Sequence, residues 1–420
     1  MPGWAKPLKS RHIGRLGAVL ALLLAIVCVL FLDTAPTVER QGRPTAHDID
    51  AARGAWRQLK AAQGTGSVTR LHFDNSTIDA IAALASDVSG RGSAQAEVTG
   101  GVLVARTSLS LPAGLWINAS AAATGKHARF PDFKLKVGRV TFPLGAGRRF
   151  ADLGRWAMNL KGADIPPLDA MVKQVTITSD GVVVDVVLPS RTGVVDGVIA
   201  ASTAAVDEQL VSDIYCRIAA EQRARPVGDL SSLLKAAFSE TPDVAAAQHN
   251  RATFIALSFL IVEEKAHPLA PRSAILAKDC PHPQRSIRLR GREDLAKHWV
   301  FSAALTSVLG TGAATSLGEW KELSDSLPGG SGFSFVDLAA DRSGVKAALR
   351  GIDSSSAKAT AKWLSRGSDR DLLPDSLLTG TESMSERSFE GSFGGLTEER
   401  YRQAVESIDR ELARREDDGS

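Results

Sequence analysis

Residues 294–349 read DLAKHWVFSAALTSVLGTGAATSLGEWKELSDSLPGGSGFSFVDLAADRSGVKAAL. In this stretch His, Glu and Asp recur at helical spacing inside small, apolar sequence. His298 stands near the start of the first helical run. Glu319, Glu322 and Asp325 follow at i, i+3 and i+6. At about 100° per residue, these three share one third of a helix surface. Asp337 and Asp341 are i, i+4 on the next run and share a face as well. Pro328-Gly329-Gly330-Ser331-Gly332 breaks the chain between the runs. The spacing predicts a helical hairpin or small bundle that gathers His298, Glu319, Glu322, Asp325, Asp337 and Asp341 into one cluster.

Such a cluster suits three uses. Carboxylates and a His can hold a divalent cation such as Zn²⁺, Mn²⁺ or Mg²⁺. A Glu can act as general acid beside a carboxylate base, as in sugar hydrolysis. Charge pairing with Lys321, Arg342 or Lys346 gives a structural network instead, ordering the Pro-Gly turn. Asp294, His298 and Ser302 fall at i, i+4 and i+8. Successive turns of one helix do not present a nucleophile beside an oxyanion hole, and no Gly-x-Ser-x-Gly surrounds Ser302. No P-loop pattern occurs, and no Cys-x-x-Cys suggests a thiolate zinc site.

The polar positions of this module, Asp294, Lys297, His298, Ser302, Gly318, Glu319, Lys321, Glu322, Asp325, Gly332, Asp337, Asp341 and Gly344, form a pattern that resembles the YfiM-like bacterial envelope lipoproteins and, distantly, VanZ-like membrane proteins. The resemblance covers about 55 of 420 residues. It implies a cell-envelope setting and no particular reaction. This chain departs from that pattern in carrying an apolar N-terminal run and a large preceding body.

Working outward, residues 1–15 carry Lys6, Lys9, Arg11 and Arg15, and Leu16 to Leu32 contains no charge. As a helix that run spans about 25 Å, slightly short of the hydrocarbon core. The basic flank predicts an uncleaved anchor in an inner membrane with its N-terminus cytoplasmic, the rival reading being a cleaved signal peptide. Residues 34–420 are then expected outside the cytoplasm. Cysteines 216 and 280 can pair there, and the third cysteine, Cys28, lies in the apolar run. The net charge of +3 and the two tyrosines argue against nucleic acid as a partner.

The expected fold class is α+β, with a transmembrane helix, an antiparallel β-rich domain, and a mostly helical C-terminal part. Residues 34–65 read as a linker and short helix. From Ser67 the period changes to alternation, giving strands over 68–73, 96–111, 115–123, 133–142 and 172–188, with Asp180-Gly181 as a hairpin turn. Helices are expected from Asn75 and over 146–160. This order, over residues 66–200, loosely resembles extracytoplasmic lipid-binding-like domains of anchored bacterial proteins. Residues 201–349 read as a helical domain, and 350–420 as a polar segment ending in an amphipathic helix at 398–415. That helix carries Tyr401, Val405, Ile408 and Leu412 as a docking face for this chain or a protein partner.

Two functions are consistent with this reading. One is an anchored structural or lipid- or ligand-binding envelope protein. The other is an envelope hydrolase or metal-dependent enzyme that uses the acid/His cluster. The missing nucleophile and single His weigh toward the first.

Overall fold

Turn chemistry and period-two alternation build the first half of the molecule. The computed structural model describes residues 28–39, 44–89, 92–160, 165–188, 206–281, 286–326 and 330–417. Helix α1 (Ala46–Ala62) precedes strand β1 (Thr69–Asp74) and helix α2 (Asn75–Ser89). Strands β2 (Gly92–Thr99), β3 (Val102–Leu111), β4 (Leu115–Thr124), β5 (Lys126–His127), β6 (Lys134–Val137) and β7 (Val140–Thr141) follow. Helix α3 (Ala146–Leu160) then leads to β8 (Val172–Ile177) and β9 (Gly181–Val186). Among the described residues the strands form two antiparallel sheets, ordered β1-β9-β8-β5 and β2-β3-β4-β6-β7. The run expected as one strand over 96–111 is two. Gly100 and Gly101 both take positive φ, so the chain reverses there and pairs Ala96 with Ala105. Val98, Ala123, Val175, Ile177 and Val182 form one small core in this half, and Ala62, Leu71 and Val186 another.

Residues 34–39 are less free than a linker. Asp33 and Trp116 exchange backbone hydrogen bonds at 2.8 Å, and the Thr37 N–H reaches Ser108 and Asn118. Just upstream, the Leu30 carbonyl accepts from the Arg139 N–H at 2.8 Å. No helix among the described residues is long and apolar enough to cross a membrane. Residues 16–27, most of the expected anchor, lie outside the described residues.

The second half is helical: α4 (Glu208–Ala224), α5 (Leu230–Phe238), α6 (Ala246–Ile261), α7 (Glu293–Leu309), α8 (Thr311–Asp325), α9 (Phe335–Ile352), α10 (Ala357–Leu364), α11 (Glu386–Phe393) and α12 (Glu399–Asp417). Helix α6 is apolar nearly all round because it is buried nearly all round, from Ala252 to Ile261. Its one fully buried amide side chain, Asn250, donates to the carbonyls of Gly351 and Ala357 and so ties α6 to α9 and α10. Cys216 of α4 and Cys280 form the expected disulfide, with Cα atoms 5.2 Å apart.

A boundary at 349 does not survive, since it falls inside α9. The residues beyond it fold back onto the same core. Leu372, Leu373, Met384, Phe389, Leu396, Tyr401, Ile408 and Leu412 are all buried in it. The apolar stripe of α12 is therefore occupied by this chain: Tyr401 packs on Phe333, Phe335 and Phe389. The segment reads as polar because its apolar residues are sparse, but many of them are buried in the shared core, where Phe389, Phe393 and Tyr401 cluster on Phe333 and Phe335. Helices α1 and α2 join the two halves. Ala46 and Ile49 lie in the helical core, and the Trp320 indole donates to Asp87 at 3.0 Å.

Candidate functional site: an acid and histidine cluster at the end of an apolar cleft

The site depends on how closely α7 and α9 approach. Gly344 lies against the backbone of Trp299, where a Cβ would meet the Trp299 carbonyl. Without that Cβ the helices close, and the Trp299 indole donates to Ser343 at 2.8 Å. One residue before Trp299 and three before Gly344 stand His298 and Asp341. They meet at 3.1 Å, Nδ1 to Oδ2. The other oxygen of Asp341 accepts from the Ser302 hydroxyl at 2.6 Å. Ser302 and His298 thus share one carboxylate and do not bond each other, so the helix-borne Asp294–His298–Ser302 triad is not built. Asp294 instead pairs with Arg292.

Glu322 reaches the site because the first helical run is broken. As one straight helix, 24 residues would separate Glu322 from His298 by about 36 Å. Gly310, at φ 86°, ends α7 and lets α8 return. Glu322 then lies 4.0 Å from His298 Nε2, and Asp337 lies 3.6 Å from it. Ser334 fixes both acids. Its hydroxyl caps α9 by accepting from the Asp337 N–H, and its own N–H donates to Glu322 Oε2 at 3.0 Å.

Four of the six expected residues therefore converge: His298, Glu322, Asp337 and Asp341. Asp325 joins at one remove, through Lys321, whose ammonium reaches Glu322 at 3.0 Å and Asp325 at 2.9 Å. Glu319 turns elsewhere, accepting from the Tyr401 hydroxyl at 3.0 Å and lying 4.0 Å from Arg342. Arg342 also pairs with Asp409, so Lys321 and Arg342 do pair with carboxylates, but with Glu322, Asp325, Glu319 and Asp409, whereas the expected partners Asp337 and Asp341 turn to His298. Two members of the site were not singled out in the sequence. Arg292 bridges Asp294, Asp337 and Glu382. Glu382 comes from the segment expected to be polar. A lone Arg or Glu on a loop carries no periodic signal that could have flagged either.

Burial shapes the electrostatics. It is the largest influence on His298 and alone would lower its pKa. The charge and hydrogen bond of Asp341, with Asp337 assisting, outweigh it and bring the pKa up to about 9. Burial likewise drives Glu322 up to about 7, against the pull of Lys321 and His298. Asp337 is raised for the same reason. At neutral pH the imidazolium donates from Nδ1 to Asp341 and turns Nε2–H toward Glu322 and Asp337.

The cluster forms the polar end of a cleft of about 850 Å³. Much of the remaining lining is apolar: Val262, Leu269, Phe301, Leu305, Leu309 and Leu317. Lys265 and Lys297 line its rim, both solvent-exposed. Single donor atoms of His298, Glu322 and Asp341 lie within 4.8 Å of one another, so this group could hold a metal ion. No family model, curated protein or solved structure matches the chain.

Proposed function

We propose that the helical half binds a small amphipathic molecule with a cationic or hydroxyl-bearing head, in a protein tethered to the bacterial inner membrane by residues 16–32 and exposed outside the cytoplasm. The observation carrying this reading is the make-up of the cleft. Aliphatic side chains share its lining with a group of hydrogen-bonded charges. At its polar end Asp294, Asp337, Asp341 and Glu382 line the cleft, with Glu322 behind them, against Arg292, Lys321 and His298, while Lys265 and Lys297 line the rim. An ammonium head would pair with these acids, and the body of the ligand would lie along Leu305 and Leu309. The Cys216–Cys280 bond supports an oxidising compartment. The polar pattern of residues 294–349, read as resembling envelope lipoproteins, is in keeping with that setting.

Calorimetric titration with dodecylamine, and with dodecyl sulfate as the opposite charge, tests the reading below their micellar concentrations. Dodecylamine is expected to bind with a negative heat-capacity change, and Asp337→Asn or Leu305→Trp to weaken it. Equal binding of both amphiphiles, or of neither, defeats the proposal.

A second reading rests on the convergence of His298, Glu322 and Asp341. A divalent cation held there would supply a Lewis acid at the polar end of the cleft and make the protein a metal-dependent envelope enzyme. Titration with Zn²⁺ and Mn²⁺ would then show one site per chain, lost in Glu322→Gln. No heat from either metal removes this reading and leaves the first untouched.

A further inference from the structure

Helix α3 is amphipathic in the wrong sense for a helix that packs by its apolar face. Phe150, Leu153, Trp156 and Leu160 lie on one 120° stripe. They are 48%, 55%, 54% and 69% exposed, and Leu144 just before the helix is 74% exposed. The opposite, polar side holds the helix to the body. Gly147 is buried against the Phe133 ring, where a Cβ would clash. Arg148 donates to the Phe130 carbonyl and pairs with Asp169. Asn159 exchanges two hydrogen bonds with the Ile165 backbone, at 2.9 and 2.7 Å. The apolar stripe is thus left about half or more exposed, with only Phe150 meeting another ring among the described residues, that of Phe142.

We infer that this stripe lies in the interfacial layer of an anionic lipid bilayer, as a second membrane contact independent of the ligand cleft. Two observations select lipid as the occupant. The first is charge. Residues 126–160 contain eight Lys and Arg against two Asp, whereas the whole chain carries only +3. Lys134, Lys136, Arg139 and Arg149 are solvent-exposed. Exposed Trp, Phe and Leu on one helix face, in a stretch rich in Arg and Lys, is the composition of segments that lie in a membrane interface. The second is continuity with the apolar N-terminal run. The Leu30 carbonyl is bonded to Arg139, three residues before Phe142, and the Phe142 ring meets Phe150 edge to face at 5.2 Å. The chain leaving residues 16–32 thus runs directly onto the sheet edge that carries the stripe.

The test places an NBD fluorophore at Leu153→Cys in the full chain with Cys28→Ser, reconstituted in vesicles of phosphatidylcholine and phosphatidylglycerol. Ser354→Cys, exposed on the helical half, serves as reference. The probe at 153 is expected to emit at shorter wavelength and to be strongly quenched by shallow doxyl-labelled lipid, while the probe at 354 stays water-like and unquenched. Arg139→Glu with Arg149→Glu should reduce quenching at 153 without moving the reference. Water-like emission at 153 overturns the inference. So does blue-shifted emission that doxyl lipid leaves unquenched, which would assign the stripe to protein, either residues 16–27 or another chain.

Discussion

Asp341 holds His298 by Nδ1 at 3.1 Å and thereby turns Nε2 toward Glu322 and Asp337. The ring is a donor at both nitrogens while charged, and its state depends on one carboxylate more than on any other group. Asp341→Asn should therefore drop the His298 pKa from about 9 toward or below its ordinary value, because burial continues to act while the opposing charge is gone. NMR titration of the ring checks this. Ser302→Ala, which leaves the carboxylate charged, should shift the ring much less. Equal shifts in the two variants would mean that hydrogen bonding, and not charge, sets the pKa.

Stability of the helical half should fall as pH rises from about 5 to 9. His298 has a folded pKa of about 9, above the ordinary 6.5, so its contribution is complete below about 6.5 and is lost as pH passes through 9. Glu322 is also raised, from 4.5 to about 7, so the folded state binds its proton more tightly and ionisation costs stability between those values. Asp337 shifts in the same direction. Melting temperatures across this window should decline for the native chain and decline less for Glu322→Gln. A flat or rising profile would contradict these protonation states.

The Cys216–Cys280 bond closes a loop with a sequence separation of 64 residues. By chain entropy it contributes about 4 kcal/mol. Denaturant titration of Cys216→Ala/Cys280→Ala should show a loss of that order. A loss under about 1 kcal/mol would mean that the reduced, unfolded chain is already ordered around α4.

Gly344→Ala should be among the most damaging single-methyl additions in the protein. The new Cβ meets the Trp299 carbonyl, which is helix backbone and cannot rotate away. Overpacking of this kind costs at the upper end of roughly 1–3 kcal/mol. It should also part His298 from Asp341, so the His298 pKa falls together with stability. Gly154→Ala, where nothing lies within 4 Å of the added Cβ, is the matching control and should be neutral or slightly stabilising.

Local sequence determined the elements of this protein. Helix α3 begins and ends at 146 and 160, as its periodicity predicts, because one face repeats at helical spacing over its whole length. The Asp180-Gly181 hairpin was legible for the same local reason. So was the gathering of His298 with acids of this stretch, although the expected set of six also held Glu319 and Asp325, which spacing alone does not separate from Glu322, Asp337 and Asp341.

What periodicity cannot carry is direction and distance between elements. Gly310 had to be known as a chain reversal before Glu322 could reach His298. Gly344 had to be set against Trp299 before α7 and α9 could close. Glu319 and Glu322 are three residues apart on one helix. Yet one faces Tyr401 and the other His298, because the helices packed on either side of α8 differ. The tail from 350 reads as polar, and only tertiary contact shows its few aromatics converging on Phe333 and Phe335. Nor can a hydrophobic stripe say which way it points. The stripe of α12 is buried and that of α3 faces solvent, and the difference lies in the partners: an aromatic cluster awaits the first, while the second helix is held from behind by Arg148, Asn159 and the close approach at Gly147.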